Sequence, residues 1–283
     1  MEVADRGGDP RPARSARAQL SLAPSYAVLC AVQAGIVLTA RPTTNERASN
    51  RLLLAAVVLP AAALGAGVAV LRLAAGGPHA LALVGAIGTP LLAGAGRRRL
   101  PLAAALWLVA WLTHGLARET AEIALIALAV MTVARLASRI APAWSIAAGL
   151  VAIAAVDLVL VWGIRQVQPA TTALHHASLP APAGHTVPAL QDATFGSATM
   201  GWLDLLAPAL LGTIARARLR AAAATGLAAG AFGLFLFVTS TVPATVPVLA
   251  GLAWAGADRG HLRRPCQPRR ARVGPRVVGR RPA

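Results

Sequence analysis

Apolar runs of 15–23 residues recur along this chain from residue 20 to residue 257, broken by short gaps that carry arginine. A helix needs about 20 apolar residues to cross a bilayer core, and somewhat fewer where the membrane thins around it. In hydrocarbon the backbone can satisfy its polar groups only within helices or closed barrels. Runs of this length, repeated this often, predict a polytopic helical membrane protein. Composition agrees: 57% of residues are hydrophobic and only 13% charged, where an ordinary soluble domain has about 25% charged residues.

Nine apolar segments follow, at residues 20–40, 52–71, 79–96, 100–115, 120–137, 143–164, 199–214, 221–238 and 243–257. The expected fold is all-α, with nine transmembrane helices. A basic tail, residues 1–19, precedes them, and an Arg-rich tail, residues 258–283, follows. Six segments lie within residues 20–164 and three within 199–257, separated by a polar, Pro- and Thr-containing loop at 165–198.

The net charge of +17 raises the question of nucleic acid. All 27 basic residues are arginines, however, and most flank the apolar runs, the placement of topology determinants beside anionic headgroups. A bilayer is therefore the expected partner, with no nucleic acid. The gaps after the first, third, fifth and seventh segments, with the C-terminal tail, hold 20 arginines, and the opposite set holds seven. The positive-inside rule then places the protein in the cell membrane with its N-terminus outside and its C-terminus in the cytoplasm. Four arginines before the first segment run against the rule. Cys30 and Cys266 are too few for a disulfide framework. His175, His176 and His185 in the polar loop have only Asp192 as a nearby carboxylate, so no metal and no cofactor is expected.

Of the ten acidic residues, six lie in tails or loops, and Glu119 and Glu122 open the fifth segment beside Arg118. Two remain inside apolar runs, Asp157 in "IAAVDLVLVWGI" and Asp204 in "MGWLDLLAPALLG". A charge at the bilayer centre costs about 2.5–3.5 kcal/mol even on lenient scales, so such residues usually face a protein interior and work there. Asp157 lies eight residues before Arg165, which closes the sixth segment, and Asp204 five residues into the seventh. Consecutive antiparallel helices would bring both to one depth. Two carboxylates about 3 Å apart in a low-dielectric site share a proton. One can then activate water while the other polarises a carbonyl, as in aspartyl proteolysis. The same acids also suit proton-coupled transport, or hydrogen bonding between helices.

With Asp157 in the sixth segment and Gly201-Trp202-Leu203-Asp204 in the seventh, the chain resembles the presenilin and signal peptide peptidase family of intramembrane aspartyl proteases. Pro208, four residues after the second Asp, and Pro247, Val248 and Leu249 near the start of the ninth segment, strengthen the likeness, the latter as a variant of the family's Pro-Ala-Leu motif. The resemblance implies a presenilin-like fold of nine helices and an Asp157–Asp204 catalytic dyad. It also implies transmembrane peptide substrates unwound at the site. Gly201 would permit close approach of helix or substrate, or serve as a packing glycine. Pro247–Leu249 would shape the active-site wall, although a proline opening a helix reads equally well. The expected topology is that of the signal peptide peptidase branch. The chain departs from the family pattern at Leu203, where the motif has glycine, at Val156, where tyrosine is usual, and at Val248, where the motif has alanine.

Overall fold

In the computed structural model, residues 16–40, 77–96, 98–164, 187–237 and 242–256, with residues 69 and 179, are described. They form a mostly helical bundle: α1 (Ala16–Thr39), α2 (Pro78–Ala93), α3 (Leu100–Leu112), α4 (Leu116–Ile140) and α5 (Ala143–Leu158). The last of these continues as a π-helical turn, Val159–Ile164. Strands β1 (Asp192–Phe195) and β2 (Ala198–Gly201) lead into α6 (Trp202–Ile214), followed by α7 (Arg218–Gly233), a 3-10 turn (Leu234–Phe237) and α8 (Val246–Gly256).

Eight of the nine apolar segments coincide with helices, and the second, residues 52–71, lies almost wholly outside the described residues. Four helical stretches are long and apolar enough to cross a membrane: Leu22–Thr39, Leu116–Ile140, Ala143–Trp162 and Arg218–Leu236. Helices α2, α3, α6 and α8 are apolar but run only 11–16 residues, short of the roughly 20 that a full crossing takes. Among the described residues, four of the nine expected crossings are thus helices of full membrane-spanning length. Helix α1 starts at Ala16, inside the expected N-terminal tail.

The all-α expectation also needs correction. Residues 192–201, divided in the sequence reading between the polar loop and the seventh helix, form an antiparallel hairpin in which Asp192 pairs with Gly201 and Phe195 with Ala198. Only Gly196 and Ser197 separate the strands, and Gly196 takes φ 57°, a conformation that suits glycine in such a tight turn.

Helix α6 sits in the middle of the bundle and touches α1, α4, α5, α7 and α8. It is apolar all round because it is enclosed all round: Leu205 and Ala207 through Thr213 are buried. Much of the buried surface is alanine, including Ala129, Ala134, Ala209, Ala221 and Ala229. Small side chains let helix backbones approach closely where no aqueous hydrophobic effect drives them together. Large apolar residues face outward instead, with Leu91 70% and Leu227 77% exposed. Such a surface suits lipid rather than water.

Candidate active site

The start of α4 fixes the chain that delivers Asp204. Arg118 Nε donates to Glu122 Oε1 at 2.9 Å, and an NH2 donor of the same guanidinium reaches the Val187 carbonyl at 2.9 Å. The buried Glu122 carboxylate also accepts the Ala189 N–H at 2.9 Å. Glu119 Oε2 accepts the Gly196 N–H at 2.7 Å and thus holds the hairpin tip. From α1, Ser25 Oγ accepts the Ser197 N–H at 3.3 Å. The two glutamates, which open the fifth apolar segment, thus tie the 187–196 segment to the bundle.

The hairpin ends at Gly201, which caps α6. Asp204 is therefore the third residue of its helix, in the first turn, rather than five residues inside one. Its Oδ2 accepts the Gly201 N–H at 2.9 Å. This is the carboxylate half of a capping box, with glycine unable to supply the reciprocal side-chain bond. The anion sits at the positive end of the helix dipole. A Cβ on Gly201 would lie 3.1 Å from Asp204 Oδ2, so the small residue leaves room for the carboxyl that caps it. Leu203 and Asp204 are both half-buried.

Asp157 occupies the last turn of α5, immediately before the π-helical turn. Turns of that kind often mark functional sites because they reset which way side chains face. Its Oδ2 accepts two bonds from Thr245, the backbone N–H at 3.1 Å and the hydroxyl at 2.6 Å. Thr245 directly precedes α8, so Asp157 lies at the positive end of a second helix. Pro247 and Val248, in the first turn of α8, are buried and Leu249 is half-buried.

Helices α5, α6 and α8 touch one another pairwise, so the turns that carry Asp157 and Asp204 belong to adjacent helices, and Thr245 before α8 holds Asp157. Each holds one oxygen, Oδ2, in a bond to backbone or hydroxyl. Neither Oδ1 has a hydrogen-bond partner among the described residues. The sequence-derived site residues Asp157, Asp204, Gly201, Pro247, Val248 and Leu249 thus converge on one region. Such an arrangement can bind, give up or pass on a proton. His175, His176 and His185 lie outside the described residues.

Two contributors were not expected. Thr245, the residue that holds Asp157, is one of three threonines in "TSTVPATVPVLA" and carries no distinguishing signal there. Gln33 on α1 is fully buried, and its Nε2 donates to the Asp204 carbonyl at 3.2 Å and the Ala244 carbonyl at 3.3 Å. Its signal was available: a lone glutamine in the apolar stretch "AVLCAVQAGIVLTA" has to find partners inside the protein. No family model, curated protein or solved structure matches the chain.

Proposed function

We propose that the protein is an intramembrane aspartyl protease of presenilin and signal peptide peptidase type, with Asp157 and Asp204 as its catalytic dyad. The observation that carries this reading is the pairing itself. Two acids 47 positions apart in the sequence lie on adjacent helices that both touch α8, each with one oxygen held and one free of bonds to described residues. The ionised member takes a proton from water while the protonated member polarises the scissile carbonyl, with no covalent intermediate. Substrates are single transmembrane helices, unwound where the backbone enters the site, since non-helical backbone at membrane depth needs a cavity within protein. The protein lies in the cell membrane with its N-terminus outside, and the dyad toward the outer face.

The decisive experiment is cleavage of a helical transmembrane peptide by the purified protein in liposomes. Asp157→Asn and Asp204→Asn are each expected to lower the rate by at least about a hundredfold, because each removes a proton-transfer group. Cleavage that survives either substitution overturns the dyad. Proton flux that is lost in both variants, in a protein that cleaves nothing, would instead favour a proton-coupled transporter built on the same pair.

A further inference from the structure

Helix α6 carries a proline at Pro208, four residues after Asp204. In an α-helix the Asp204 carbonyl would accept the N–H of residue 208, and proline has none to give. A similar shortage occurs at the start of α8. The Ala244 carbonyl looks forward to residues 247 and 248, but Pro247 lacks an N–H and the Val248 N–H goes to the Thr245 carbonyl at 3.1 Å. Both carbonyls are met by one group, the side-chain NH2 of Gln33, at 3.2 and 3.3 Å. The amide orientation is fixed by this pair, since a flip would set Oε1 against two carbonyl oxygens. Gln33 Oε1 is buried without a partner among the described residues.

We propose that Gln33 is the positioning residue of the dyad. Its NH2 group supplies the donor that Pro208 cannot give the Asp204 carbonyl, and it meets the Ala244 carbonyl just before α8, whose α-helical donor, the Val248 N–H, is turned to Thr245. It thereby locks the first turn of α6, which carries Asp204, to the approach into α8, where Thr245 holds Asp157. Gln33 touches neither free carboxyl oxygen in this role and acts through the two backbones. Its effect on turnover rests on the protease reading, whereas its effect on the packing of α6 against α8 does not.

The test is a double-mutant cycle of Gln33→Leu with Pro208→Ala, read in two ways. Pro208→Ala returns an N–H to the Asp204 carbonyl and so makes one Gln33 bond dispensable. In thermal unfolding, Gln33→Leu is expected to lower the midpoint, and to lower it by about half as much when Pro208→Ala is present. In cleavage assays, Gln33→Leu is expected to reduce kcat by about ten- to a hundredfold with KM held within about twofold. Pro208→Ala is then expected to recover part of that kcat. Should Gln33→Leu fail to fold, Gln33→Met keeps the length of the side chain and removes the NH2 without adding a charge, and the same partial rescue of folded yield by Pro208→Ala is expected. Additive effects in the unfolding cycle overturn the proposal, as does an unchanged kcat in Gln33→Leu. A protein that shows coupled unfolding but never cleaves retains the clamp and loses the protease. One that cleaves but unfolds additively does the reverse.

Discussion

Asp204 looks misplaced in "MGWLDLLAPALLG" only while the helix is taken to start before Gly201. As the third residue of α6 it sits where free N–H groups and the dipole favour an anion, each such effect worth about 0.3–1 kcal/mol. Asp157 gains the same from the first turn of α8 through Thr245. Two helix N-termini therefore converge on the acid pair and offset part of its cost in hydrocarbon. Thr245→Val is expected to lower stability by about 1 kcal/mol, the usual scale for a bond between helices in a membrane. Asp157 then keeps only the backbone N–H of residue 245 and its carboxyl can turn out of register, so under the proposed protease function cleavage should fall further than the unfolding midpoint suggests. Comparing chemical denaturation with rates in one preparation checks both. Gly201→Ala is expected to crowd Asp204 Oδ2, with a stability loss of up to about 1 kcal/mol from the poorer cap and a drop in kcat. An unchanged kcat there would assign Gly201 to packing alone. Gly201 and Asp204 were legible as site residues, but their capping relation was not, because it appears only when the helix starts at Trp202. The partner of Asp157 was not, because a bond from α5 to the residue before α8 depends on how two distant segments pack.

Helices were legible as apolar runs, and their edges were less so. The hairpin escaped because "DATFGSATMG" joins a polar loop to an apolar helix without a break in composition, although its Gly-Ser pair between short Ala/Thr stretches is a turn signal. The π-helical turn after Asp157 left no trace, since a widened turn is set by packing rather than by residue type. The consequence for the site is mechanical. α4 positions α6 through Glu119 and Glu122, which grip the segment entering it. Glu122→Ala removes the partner of both the Arg118 guanidinium and the Ala189 N–H in a largely buried setting. Breaking one side of such a pair typically costs about 3–5 kcal/mol. Faster amide exchange is expected at Ala189 and along the 192–201 hairpin, with much smaller change in α7. Uniform protection across the hairpin in that variant would show that the strands hold themselves.

At the scale of the whole molecule, large apolar side chains outside and alanine inside describe a bundle solvated by lipid. Arginine then decides which way it faces, and 20 of the 27 lie on the side proposed as cytoplasmic. That orientation has a chemical consequence. In the proposed orientation the segment before the hairpin would fall outside, which would put Asp204 in the first turn of α6 and Asp157 in the last turn of α5 toward the outer face. Substrates would be cut nearer their outer ends. The two cysteines offer a direct check without engineering. Cys30 is buried in the core, and Cys266 belongs to the Arg-rich tail. A membrane-impermeant maleimide applied to intact cells is expected to leave both untouched and to label Cys266 alone once the membrane is permeabilised. Labelling of Cys266 in intact cells would invert the bundle. The four arginines before the first apolar segment would then outweigh the larger set, and the proposed dyad would move to the cytoplasmic side, where cleavage would fall near the other end of the same substrate helices.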